Sequence, residues 1–197
     1  LPLTVAFDLE KSGARLAWEH FQPDTPTPLA IRHVEDQDMW RFALPDTRAF
    51  CRALRLLPFD FAAWHQLIIE TPDDAAPRYA ETIVQGSAIE QFFQNEIERL
   101  AHSSLRMPAL LRGEPVDALQ AQRHGQTIIT DGDLSWLATP GIAINANALF
   151  ASDLGNSLAE QSGSYGLIWQ LSGDGEIKAS LRSKGKTLDV ATIASRY

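Results

Sequence analysis

The order of apolar and polar positions sets out a chain of short elements. Leu3 to Phe7 (Leu-Thr-Val-Ala-Phe) predicts a strand. Leu9, Leu16, Ala17 and Phe21 stand near helical spacing and predict a helix from Asp8 to Phe21, with Ser12-Gly13-Ala14 as a small-residue patch. Pro23, Pro26 and Pro28 force a loop, because proline lacks the N–H that regular structure uses. Leu29 to Val34 fits a strand or a short helix equally well. From Asp46 to Ile69 the spacing is helical again, broken at Pro58. Pro77 opens a long helix marked by Tyr79, Ile83, Val84, Phe92, Phe93, Ile97 and Leu100, running to about Leu105. Pro108, Gly113 and Pro115 then predict a loop and a domain joint.

The last third changes character. Gln126 to Thr130 and Gly141 to Asn145 read as strands. Phe150, Leu154 and Leu158 form one face of a helix that stops at Ser162-Gly163. Tyr165 to Leu171 and Glu176 to Arg182 are strands joined by Ser172-Gly173-Asp174-Gly175, a hairpin signal. A final helical pattern begins at Val190. Strand, helix, hairpin and helix in this order make an α/β unit. The expectation is an α/β protein of two parts, residues 1–112 and 113–197, with the long helix as connector.

With 197 residues and 45% hydrophobic content, the chain can bury a proper core. No apolar run reaches the roughly 18 residues of a membrane span, so no membrane partner is expected. The single Cys51 excludes a disulfide framework and points to a reducing, cytoplasmic setting. The chain opens on Leu1 rather than Met, and its last helical pattern lacks stop signals; both predict a fragment cut at each end. A net charge of −8 argues against coating long nucleic acid, which needs many cations. It leaves room for a small phosphate ligand in a local basic pocket.

Two stretches could carry chemistry. Glu35, Asp36 and Asp38 place three carboxylates within four positions, which is favourable around a cation and otherwise fits an acidic solvent turn. Lys178, Arg182, Lys184 and Lys186 form a run without an acid. It reads as lysine protection of a sheet edge, or as anion recognition. In the second case Arg182 is a forked donor, Ser180 and Ser183 supply hydroxyls, and the N-terminus of the next helix adds N–H groups. The histidines form no HExxH or HxH spacing, and Cys51 sits in a helical context without a nucleophile motif.

Three segments resemble the DHH-type phosphoesterases, manganese-dependent hydrolases of oligoribonucleotides, single strands, polyphosphate and nucleotides. Phe7 to Trp18 (FDLEKSGARLAW) resembles the stretch after the Asp-His-His motif in one bacterial branch. Val34 to Phe50 (VEDQDMWRFALPDTRAF) resembles that branch's acidic motif, with Gln37 and Met39 where Arg and Leu are usual. FASDLGNSLAE, YGLIW and the stretch from Gly173 to the end resemble the DHH-associated substrate-binding domain. The resemblance implies the tail of a parallel α/β domain followed by a smaller mixed-sheet domain. It implies Asp36 as a metal-ligating carboxylate, with Asp38 the lesser candidate, and Ser180, Arg182 and Ser183 on the substrate side. Two Mn²⁺ ions would activate water for phosphoester hydrolysis in the complete enzyme. The sequence contains neither Asp-His-His nor the family's Gly-Gly-Gly-His loop, and no catalytic His maps onto it. The fragment alone is therefore expected to be inactive and to hold no metal tightly. The implied ligand is a nucleotide, a short oligonucleotide or polyphosphate, and a homodimer stays open. The alternative is a non-catalytic nucleotide- or nucleic-acid-binding or regulatory module of the same fold.

Overall fold

The computed structural model describes residues 7–70, 77–185 and 188–195. The chain is mixed α/β, with eight α-helices and a five-stranded sheet among the described residues. It divides into two compact units, Leu1–Phe93 and Gln94–Tyr197, with the division falling inside one helix.

The first unit's regular elements, among its described residues, are all helices. The strand expected over Leu3 to Phe7 lies outside them except for Phe7, which is irregular. Helix α1 (Gly13–Phe21) starts later than Asp8 because Ser12 caps it, accepting from Arg15 N at 3.1 Å. Leu29 to Val34 is helical, not extended. It opens α2 (Leu29–Asp38), which starts directly after Pro28 and buries Leu29, Ala30, Ile31 and His33. Proline at a helix start loses no hydrogen bond. Helices α3 (Thr47–Leu54) and α4 (Phe61–Glu70) flank the break at Pro58. Phe50, Cys51, Leu54, Leu67 and Tyr79 join Leu29 and Ala30 in one core. Helix α5 (Pro77–Ala101) lies so close to α3 that a Cβ on Gly86 would come within 1.7 Å of the Ala49 carbonyl oxygen.

The second unit is a sheet with α7 packed on it. Its elements are β1 (Met107–Pro115), α6 (Ala118–Arg123), β2 (Ile128–Asp131), β3 (Leu134–Asn145), α7 (Ala151–Ser162), β4 (Tyr165–Leu171), β5 (Ile177–Ser183) and α8 (Val190–Ala194). Strands run in the order β1-β3-β4-β5, with β2 also on β3. Only β3 and β4 pair in parallel, joined by the α7 crossover. The expected loop and joint at Pro108 to Pro115 is instead strand β1, paired from Met107↔Ala143 to Arg112↔Ala138. Proline is tolerated there because β1 ends the strand order, where a missing N–H breaks no ladder. The register slips between Arg112 and Pro115. Gly155 and Gly166 let α7 lie directly on the sheet, since a Cβ on Gly166 would meet the Gly155 carbonyl oxygen at 2.2 Å. Ile144, Leu154, Leu158, Tyr165 and Ile168 fill the core.

Candidate functional site

The acidic motif of α2 ends in a loop that folds back onto it. Trp40, Phe42 and Asp46 all take left-handed backbone angles (φ 55°, 47° and 63°), a conformation that non-glycine side chains resist. The turn aims four successive amides at one residue. Arg41 and Phe42 donate to the Asp36 carbonyl at 2.9 and 3.4 Å. Ala43 and Leu44 donate to its carboxylate at 2.9 and 3.1 Å. The Thr47 hydroxyl adds a third donor to that carboxylate at 2.6 Å. Asp36 is 5% exposed. Burial pushes its carboxyl up, but the bonds from Thr47, Ala43 and Leu44 and the nearby His33 hold it below the ordinary value.

The chain of bonds continues inward. His33, 1% exposed, stands with Nδ1 at 2.9 Å from Thr47 Oγ1 and Nε2 at 3.2 Å from Tyr79 Oη. Thr47 spends its hydroxyl proton on Asp36, so Nδ1 carries the ring proton and Nε2 accepts from Tyr79. Burial lowers the His33 pKa, with Arg32 adding to this and Asp36 and Asp46 opposing it. Cys51 donates to the His33 carbonyl at 3.6 Å, and burial pushes its thiol up to about 12. That is packing chemistry, not nucleophile chemistry.

Mn²⁺ is the metal the family resemblance implies. Glu35 is committed to Ser12 N at 3.4 Å and to the Arg15 guanidinium at 3.2 Å. Asp36 is committed to its loop, and Asp38 is exposed. Among the described residues no three His, Cys, Asp or Glu side chains converge on a metal position. These residues do not make up a two-metal donor set.

The other nominated residues lie on β5. Ser180 pairs with Ile168, Arg182 with Gly166 and Ser183 with Tyr165. Strand alternation puts Ser180 and Arg182 on one face and Ser183 on the other. The face of Arg182 is the one under α7: its Nη2 donates to Ser152 Oγ at 3.0 Å, and its stem lies over Gly155. Its Nη1 donates to the Leu181 carbonyl at 2.8 Å. The structure thus brings Ser180 and Arg182 together and leaves Ser183 behind the sheet. The following helix does not offer the anion-binding amides expected of it. The Asp189 carboxylate takes them, accepting from Ala191 N at 3.1 Å and Thr192 N at 3.0 Å. Lys186 lies outside the described residues.

Sequence reasoning named Asp36 only as a metal ligand, and missed Thr47, His33, Tyr79 and the amides of 41–44 as its surroundings. Residues in αL do not show in hydrophobic periodicity. Asp189 two residues ahead of Ala191 was a legible capping signal.

No protein-family model matches the chain, and no solved structure matches it. The chain is similar to a protein of Acanthamoeba polyphaga mimivirus named "Uncharacterized protein R106", 26% identical over 194 residues. The match covers 97% of this chain and 39% of the viral protein, so the chain spans about two fifths of that relative's length. No helix among the described residues is long and apolar enough to cross a membrane.

Proposed function

We propose that this chain is a portion of a DHH-type phosphoesterase whose second unit grips the phosphate of a nucleotide, short oligonucleotide or polyphosphate. One observation carries the reading. Arg182 shares a face of β5 with Ser180, inside the chain's acid-free basic run, and its contacts with Ser152 and Leu181 use two of its five N–H donors. A guanidinium oriented in advance suits phosphate, which accepts its planar fork from two donors at once.

Two findings favour a second reading, a non-catalytic nucleotide-binding module of the same fold. Glu35 and Asp36 of the first unit are engaged in structure, and Arg182 covers a carbonyl of its own strand, as a residue protecting a sheet edge would.

Titration calorimetry with a short oligonucleotide and with tripolyphosphate tests the phosphate grip. Arg182→Lys should weaken both about ten- to a hundred-fold, because each charge-assisted contact contributes roughly 1.5–3 kcal/mol. Thermal stability should be nearly unchanged. Wild-type affinity in the Lys variant would return the run to edge protection. Hydrolysis of the bound oligonucleotide by the full-length protein with Mn²⁺ separates the enzyme from the binding module.

A further inference from the structure

We infer that Ser152 is a second donor to the ligand's phosphate, standing on α7 beside Arg182; the inference rests on the phosphate grip proposed above. Both residues belong to the second unit. Strand β5 and helix α7 meet closely because Gly155 has no side chain: a Cβ built there would come within 2.8 Å of Arg182 Cγ. The arginine stem fits against α7 only because that position is glycine. Ser152 stands three residues before Gly155, one turn nearer the start of α7 and on the same face. The stem runs along this face, and the guanidinium ends at Ser152, with Nη2 donating to Oγ at 3.0 Å.

The direction of that bond decides what the hydroxyl can still do. A guanidinium has five N–H donors and no acceptor, so Ser152 is the acceptor. Its own O–H stays available, and among the described residues nothing accepts it. Ser152 is half-buried, within reach of a ligand. A group meant only to hold Arg182 could be a carbonyl or a carboxylate; a hydroxyl holds it and still donates. An N–H of a cation and an O–H, with heavy atoms 3.0 Å apart, suit two oxygens of one phosphoryl group. Ser180 shares the face of β5 that carries Arg182. The strand thus supplies the charge and the helix a neutral donor beside it. Asp153, the next residue, points about 100° further round the helix and does not share this face.

Tripolyphosphate is titrated by calorimetry against Ser152→Ala, in the wild-type background and again with Arg182→Lys. Ser152→Ala should weaken binding about ten- to a hundred-fold in both backgrounds. Ser152→Thr keeps the hydroxyl and should restore most of the affinity. Each variant should melt within a few degrees of wild type. Unchanged affinity in Ser152→Ala would overturn the inference while leaving Arg182 as the grip. A loss seen only where Arg182 is present would overturn it too, since Ser152 would then merely orient the guanidinium. A much lower melting temperature would place Ser152 in the fold instead of the site. If the wild type bound neither tripolyphosphate nor a short oligonucleotide, the phosphate reading itself would fall, and this donor with it.

Discussion

Replacing Asp36 with alanine should destabilise the first unit strongly rather than merely remove a charge. The carboxylate accepts three hydrogen bonds, at 2.9, 3.1 and 2.6 Å, with almost no water to replace them. Bonds to a charged acceptor contribute roughly 1.5–3 kcal/mol each, giving an upper sum of about 4.5–9 kcal/mol. Two effects reduce it. Arg41 and Phe42 still hold the loop through the Asp36 carbonyl. Because that anchor stays, only part of the strain at Trp40, Phe42 and Asp46, of order 1–3 kcal/mol each, is released, about 1.5–4 kcal/mol in all. The net expectation is a loss of about 3–5 kcal/mol, against a total of 5–15 kcal/mol typical of native domains. Asp36→Asn keeps one acceptor oxygen and should lose about half as much. Urea unfolding followed by tryptophan fluorescence measures both, with Trp18, Trp40 and Trp64 reporting on this unit. An alanine variant within about 1 kcal/mol of wild type would refute the claim that this carboxylate organises the loop. So would a wild-type stabilisation by Mn²⁺ that Asp36→Asn abolishes, since it would make the carboxylate a metal ligand first.

The acid side of the stability profile should show two steps. His33 is buried neutral with a lowered pKa, so its unfolded form takes up protons first; stability is full above about pH 6.5 and declines below it. Asp36 has a lowered pKa, so its contribution is full above about pH 3.9 and is lost as pH falls further. His33→Gln should flatten the decline between about pH 6.5 and 5, and an unaltered slope in urea titrations would contradict this. Gly86→Ala should destabilise by about 1–3 kcal/mol or more: the added methyl would press on the Ala49 carbonyl at 1.7 Å, which outweighs the roughly 1 kcal/mol that alanine gains in a helix. A melting temperature at or above wild type would mean that α3 and α5 can separate without loss.

Much of the second unit was legible from sequence because its signals are local. Leu154 and Leu158 lie on the buried face that their spacing implied, and Gly163 takes the left-handed cap at φ 70°. The Ser172 to Gly175 turn closes its hairpin, with Ser172 N donating to the Glu176 carbonyl at 2.8 Å. Each such feature is settled by residues a few positions apart. Met107 to Pro115 was not legible. Two prolines look like a loop until a partner strand, some thirty residues on, supplies an edge where their missing amides do no harm.

The site shows the same division. The alternation of β5 was enough, once its pairing was known, to set Ser180 and Arg182 on one face and Ser183 on the other. That Arg182 lies over Gly155 and reaches Ser152 depended on how α7 crosses the sheet. In the acidic motif the chain alone determined that three carboxylates would crowd within four positions. Only the fold decided that Asp36 would receive the amides of 41–44 and, through Thr47, meet His33 and Tyr79. His33 shares α2 with Asp36, and the other partners come from a strained loop and from two other helices, α3 and α5. Burial then makes each bond count, because a polar group withdrawn from water must find its partner within the protein.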